Sequence, residues 1–282
     1  DYPLPRAIGL SLFHSVASFN NSGFDVLGNG TSLIPYQKDV LLNLVTCVLV
    51  IAGGIGFPVI FELPLKHFSW KRQSMHTRVV LSTTFALLLF GTLLLKLTES
   101  ISWLGAFFYS VSARTAGFST YNLSDFSTAG LLVVSGLMFI GASPASTGGG
   151  IKTTTFFVLL SGIYSAATTH SERAFHNAIP KDAFRKASVI SMLAVFLVMT
   201  ASYLMLIFDP QLSLRDVLFE MISAFSTSGL STGITPQLSA QSRILSIIMM
   251  YIGRLGPLTV ASLWYFTIGE RVRYPEGTIA IG

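Results

Sequence analysis

Long apolar runs alternate with short polar stretches along this chain. A helix that crosses a bilayer needs about 20 apolar residues. Four runs have suitable length: residues 40–61, 79–95, 187–208 and 244–269, the last interrupted by one charge, Arg254. A fifth run, residues 126–169, is 44 residues long and carries only Lys152. As one helix it would extend about 66 Å, twice a hydrocarbon core of about 30 Å. The expected break is Ser143-Pro144-Ala145-Ser146-Thr147-Gly148-Gly149-Gly150. Pro removes a backbone donor there and Gly weakens the helix. Irregular backbone at membrane depth is tolerated only inside protein or beside water, so this break should face an aqueous pathway.

Shorter apolar pieces lie between the spans, at residues 8–18, 103–112 and 217–224. They are too short to cross, and their length suggests re-entrant segments; an interfacial or buried helix is the alternative. Their sequences repeat. With Gly23, Gly117 and Gly229 in register, the strings are SLFHSVASFNNSGF, AFFYSVSARTAGF and LFEMISAFSTSGL. Phe13, Phe107 and Phe219 stand ten residues earlier. Asn21, Thr115 and Thr227 stand two earlier, and Ser22, Ala116 and Ser228 one earlier. Gly141 and Gly253 each follow their glycine by 24 residues. The repeating unit is therefore span, short helix, extended Gly-containing stretch, span.

A short helix ending in mid-membrane turns its negative dipole end inward, which favours a cation. An extended stretch beyond it can aim carbonyls at an axis and replace an ion's hydration shell. The candidate ion-binding residues are Asn20, Asn21, Ser22 and Gly23, then Thr115, Ala116 and Gly117, then Thr227, Ser228 and Gly229.

Composition narrows the class. Charged residues are 11% and hydrophobic residues 51%, with mean hydropathy +0.64. That excludes a soluble domain, a disordered chain and a nucleic-acid binder with a basic face. The formal charge of +5 is weak evidence for an anionic partner. Lys66, Lys71, Arg72, Arg78, Arg173, Lys181, Arg185, Lys186, Arg271 and Arg273 fall on one side, which should be cytoplasmic. The other side carries Arg6, Lys38, Lys96, Arg215 and Arg243, and with its seven acids it is net −2. A mildly acidic mouth favours cations. The only cysteine, Cys47, excludes an internal disulfide and reads as a lipid- or core-facing residue.

HSVASFNNSGF, SARTAGFST and FSTSGLSTG resemble the selectivity-filter loops of the Trk/Ktr/HKT cation transporters. MFIGASPASTGGGIKTTTF and MYIGRLGPLT resemble that family's intramembrane loop and last inner helix, and the tail RYPEG resembles the end of Ktr-type membrane subunits. The likeness covers essentially the whole chain. It implies an all-α membrane protein of repeated helix–pore loop–helix units around a central pore, with a broken inner helix in the middle repeat. Residues 1–66 would supply a pore loop and inner helix. Residues 67–170 would form a complete repeat with a gating loop at 141–152, and residues 171–282 the last repeat and tail. The family has four such units, so a first repeat and the next outer helix are expected ahead of Asp1.

By the same resemblance the function is potassium translocation across the plasma membrane, in a bacterial inner membrane, with sodium dependence open. A sodium-translocating member of the family and a non-conducting accessory subunit of an ATPase are the alternatives. The expected partners are the bilayer, a second copy in a homodimer, and a cytoplasmic nucleotide-binding regulatory ring; no nucleic acid is expected. K⁺, and Na⁺ in the coupled case, would be cargo, with no cofactor, catalytic residue or transition metal. The three visible filter glycines resemble the potassium-type pattern. The gating group would be Ser143, Ser146, Thr147, Gly148, Gly149, Gly150, Lys152 and Arg254, with Arg254 directed at the loop. Lys152 could instead snorkel to the cytoplasmic face, and Arg254 could be a packing charge. Arg114 would brace its strand or meet an outer carbonyl. Glu220 would hold the filter from behind or make a plain polar contact.

Other motifs carry less. Gly148-Gly149-Gly150-Ile151-Lys152-Thr153 lacks the Gly-Lys adjacency and preceding strand of a phosphate loop. Asp216 and Glu220 read as a solvated helix start and a pore-helix acid, not as a catalytic pair. His67, His76, His170 and His176 lack ligand spacing. Asn29-Gly30-Thr31 and Asn122-Leu123-Ser124 match glycosylation sequons, which also arise by chance.

Overall fold

The computed structural model describes residues 2–257 except 26, 29, 169–172 and 176, together with residue 259. Ten helices carry these residues: α1 (Leu4–Phe19), α2 (Val40–Gly54), α3 (Phe57–Leu65), α4 (Met75–Thr98), α5 (Trp103–Ser112), α6 (Thr128–Phe139), α7 (Thr153–Ala167), α8 (Lys181–Phe208), α9 (Leu214–Ser226) and α10 (Ala240–Leu255). Helices α4 and α8 alone are long and apolar enough to cross a membrane unbroken among the described residues. The 44-residue run is two helices, α6 and α7, separated by residues 140–152.

One expectation needs refinement. The run at residues 40–61 is not one straight helix: α2 and α3 meet at a bend of 96°. Gly56 sits at the bend with φ 90°, a conformation open to glycine, and Pro58 follows in the first turn of α3, where a missing donor costs nothing. The fold is helical as expected, and the strands among the described residues are Arg173–Ala174 and Asn177–Ala178, paired as a two-residue antiparallel hairpin. Helix α10 ends at Gly256, φ 91°. The remainder of the run to residue 269, the basic tail and RYPEG lie outside the described residues.

Helices α5 and α9 each pack among several other helices, and α1 packs on α2. One core joins α4, α5 and α6 around Tyr109, Leu131 and Met138, and a second joins α8, α9 and α10 around Met205, Met221 and Phe225. A third places Cys47 and Val50 of α2 against Phe108 and Val111 of α5. Thus α2 and α6 also pack on the short helix of the following unit, α5 and α9. Large apolar side chains such as Phe90, Leu97, Met192, Phe196 and Ile247 cover the outside, as a lipid-facing surface requires.

Helices α2 and α10 approach the short helices closely. A methyl group on Gly53 would overlap the Phe19 carbonyl, and one on Gly253 would overlap the Phe225 carbonyl. Phe19 and Phe225 both stand four residues before their register glycine. Gly53→Ala and Gly253→Ala should each destabilise the protein by about 1–3 kcal/mol through overpacking. Gly136, with nothing within 4 Å of an added methyl, is the control: Gly136→Ala should be neutral or stabilising by up to about 1 kcal/mol. Thermal unfolding in detergent reads both.

Candidate ion pathway

The three Gly-centred loops share an unusual backbone. Asn21, Thr115 and Thr227 have φ of 51°, 79° and 54°, and Gly23, Gly117 and Gly229 have φ of 65°, 82° and 82°. The residue between each pair, Ser22, Ala116 or Ser228, does not. Asn tolerates positive φ, but a β-branched Thr there is an outlier costing about 1–3 kcal/mol. Positive φ at alternate residues is a backbone able to present successive carbonyls on one side, as a cation-binding loop requires. The loops lie side by side in chain order. A methyl on Gly23 would come 2.6 Å from the Ala116 oxygen, and one on Gly117 would overlap the Ser228 oxygen.

Each short helix runs directly into its loop, so its C-terminal dipole end lies beside the adjoining loops. Ser22 N–H donates to Ala17 O at 3.0 Å, Gly117 N–H to Ser112 O at 3.3 Å and Ser228 N–H to Ser223 O at 3.0 Å, closing each helix end. Behind the middle loop, Ser112 Oγ donates to Phe118 O at 2.5 Å and Tyr109 Oη to Tyr121 O at 2.5 Å. His14 Nε2 lies 2.8 Å from Thr46 Oγ1, and its ring meets the edge of Phe118 at 5.0 Å. Glu220, in register with His14, accepts from Thr235 Oγ1 in the stretch after its loop.

Not every candidate side chain points at the axis. Asn20 turns back to Val16 O at 2.9 Å, and the Asn21 amide nitrogen faces the Val50 and Ser18 carbonyls at 3.2 and 3.1 Å. The hydroxyls of Thr115 and Thr227 are buried without a protein partner. Arg114 is buried and reaches Thr84 Oγ1 of α4 at 3.5 Å, and meets no outer carbonyl among the described residues.

The interruption between α6 and α7 lies directly against these loops. Thr147 Oγ1 donates to Phe19 O at 3.4 Å. Gly148 abuts the Thr115 side chain, and a methyl on Gly149 would lie 2.5 Å from Thr227 Oγ1 and 2.7 Å from Ser226 O. Three consecutive residues thus touch three different units. Helix α2 holds the segment through Ser143 N–H to Gly54 O at 3.0 Å and Thr147 N–H to Gly53 O at 3.3 Å. The Gly56 bend admits it, with Phe57 N–H donating to Ala145 O at 3.1 Å. Ser146 Oγ accepts from Gly148 N–H at 3.4 Å, and Gly150 adopts φ 69° at the exit.

Two cations converge on this segment. Lys152 Nζ donates to Gly148 O at 2.7 Å, so its ammonium turns to the loop and not to the membrane surface. Arg254 Nη1 donates to the neighbouring carbonyl, Thr147 O. Sequence reasoning did not find the role of Gly53, Gly54 and Gly56. Its signal was present as Gly53-Gly54-Ile55-Gly56 against Gly253-Arg254-Leu255-Gly256, at a spacing of 30 residues from Gly23 where the other units have 24.

This geometry agrees with what the chain is similar to. A family model described as TrkH, a cation transport protein, matches residues 6–97 and 78–267. The chain is 36% identical to the Ktr system potassium uptake protein B of Vibrio alginolyticus, covering 96% of this chain and 62% of that protein. It is 35% identical to the Ktr system potassium uptake protein D of Bacillus subtilis, covering 96% and 63%. To the potassium/sodium uptake protein NtpJ of Enterococcus hirae it is 34% identical, covering 98% and 65%. The crystal structure of the potassium transporter TrkH from Vibrio parahaemolyticus superposes with a TM-score of 0.72 at 19% identity, over 89% of this chain and 57% of that one, a likeness of fold. The chain spans about three fifths of the length of these relatives. It belongs to the TrkH family of cation transport proteins.

Proposed function

We propose that this chain contributes three of the pore loops of a potassium-translocating membrane subunit, and that the segment between α6 and α7 is its gate. The observation that carries the reading is the left-handed pair repeated at Asn21/Gly23, Thr115/Gly117 and Thr227/Gly229, side by side and closed from one side by Thr147–Gly149. Carbonyls aimed at one axis replace the hydration shell of K⁺, and three helix dipole ends add negative potential. A non-conducting accessory subunit of an ATPase would gain nothing from holding two threonines at positive φ. Sodium conduction is the second reading, favoured by similarity to a protein named for both ions.

Backbone spacing should decide the selectivity. Gly117→Ser places a side chain against the Ser228 carbonyl and in a left-handed conformation. The full-length variant in liposomes should lose about tenfold in K⁺/Na⁺ discrimination, equal to about 1.4 kcal/mol, or lose uptake. Parental discrimination would sink the assignment of this loop as a filter.

Gating follows from the two cations. Their charge-assisted hydrogen bonds to Gly148 O and Thr147 O hold the segment under the filter, and their positive charge repels a cation arriving there. Each bond to a charged donor contributes about 1.5–3 kcal/mol. Removing about 2 kcal/mol shifts a closed/open ratio about 30-fold. Arg254→Ala, or deletion of Gly148–Gly150, should raise flux in liposomes lacking any partner. Equal flux from well-folded variants would place the gate elsewhere.

The proposal includes a homodimer in a bacterial inner membrane, regulated by a cytoplasmic nucleotide-binding ring. The resemblance supports the ring and the dimer, and the cluster of Lys66, Lys71, Arg72 and Arg78 on one face supports the orientation. Native mass spectrometry of the full-length protein should give twice the monomer mass; a monomer would contradict the dimer.

A further inference from the structure

Glu99 and Asp209 occupy the same place in two units. Each is the first residue past a long outer helix, α4 or α8. Each accepts two hydrogen bonds from the serine that starts the next inner helix. Glu99 Oε1 receives Ser127 N–H at 3.0 Å and Ser127 Oγ at 2.6 Å. Asp209 Oδ2 receives Ser239 N–H at 3.1 Å and Ser239 Oγ at 2.9 Å. Those serine oxygens also cap α6 and α10 by accepting the N–H three residues on. The third residue is small both times: a methyl on Gly130 would overlap the Glu99 carboxylate, while the Ser242 hydroxyl lies near enough to stabilise the Asp209 carboxylate. These donors hold the Asp209 carboxyl below the usual carboxylate range.

Between acid and serine lies everything that carries the pore loop: the short helix, the left-handed pair and the return stretch. The pairs are 28 and 30 residues apart in the chain. The carboxylate closes this segment at its base. A third pair has the same chemistry without a pore loop inside it: Glu62 accepts Ser74 N–H at 2.7 Å and Ser74 Oγ at 2.6 Å across only 12 residues.

We propose that Glu99 and Asp209 are positioning residues for ion selection, closing the base of the second and third pore loops so that their carbonyls keep a fixed spacing. The proposal rests on the ion-translocation reading. The physical reason is that outer and inner helix start to separate where the loop begins and ends. A hydrogen-bonded charge at that point removes the loop's freedom to widen, and two ions of similar size are told apart by small differences of spacing.

The test compares full-length variants in liposomes for K⁺ and Na⁺ flux. Asp209→Asn and Ser239→Ala should each lower K⁺/Na⁺ discrimination about tenfold, the loss expected with a hydrogen bond to a charged group. The double variant should be no worse than either single one, and Asp209→Glu should recover part of the loss. Glu99→Gln should do less, since its pair is exposed to solvent. Glu62→Gln should lower the melting temperature and leave discrimination unchanged. Parental discrimination in folded Asp209→Asn and Ser239→Ala, or an equal loss in Glu62→Gln, would overturn the proposal. If the parent itself carries no ion, the translocation reading fails, and hydrogen exchange still reads the closure. Asp209→Asn should then speed exchange of the amides at 214–230 about tenfold, and an unchanged rate would overturn the proposal.

Discussion

Backbone carbonyls left without a hydrogen-bond partner inside a membrane are the constraint on which the rest of this structure depends. Hydrocarbon offers no donor, so a helix that stops at mid-depth exposes its last carbonyls at a cost of several kcal/mol each. Helices α1, α5 and α9 each end in a loop with left-handed backbone. The chain meets the cost partly by folding the following N–H groups back, as Ser22 does to Ala17 and Ser228 to Ser223. On the proposed reading, the remaining carbonyls gather where a cation can serve as their partner. The short helices, the glycines pressed against their ends and the strained threonines would all serve that gathering.

The interruption between α6 and α7 faces the same constraint and solves it differently. Its own carbonyls are covered by cations of the chain itself, Lys152 on Gly148 and Arg254 on Thr147. Its N–H groups use carbonyls that the bend in α2 has released, Gly53 and Gly54. The bend at Gly56 and the break at Pro144 are thus complementary: one helix gives up hydrogen bonds where another segment needs them.

Much of this was legible in the sequence because the membrane imposes a length and the repeat imposes a register. Helix α5 follows the apolar run at 103–112 residue for residue, and the 44-residue run could not be one helix at any tilt. The left-handed positions fall on the aligned Asn21, Thr115, Thr227 and the three glycines. The bend at Gly56 left its signal only in the glycines Gly53, Gly54 and Gly56, because hydropathy is blind to direction and residues 40–61 remain apolar through it. The acid–serine pairs were missed for a different reason: one serine and one acid 28 or 30 residues apart make no local pattern. Only a comparison of helix ends, rather than of loops, brings Glu99 into line with Asp209. Side-chain direction was also beyond reach, as Asn20 turning back to Val16 shows.

The contacts of Thr147, Gly148 and Gly149 with three different units have a consequence for stoichiometry. A plug on the axis can exist only once, since copies contributed by every unit would collide there. An assembly of identical subunits has no means of making one copy differ from the others, and must close by moving all of them together. Units joined in a single chain are free of that symmetry. One unit can break its inner helix and lay the freed segment across the neighbouring loops, while another bends its own to receive it.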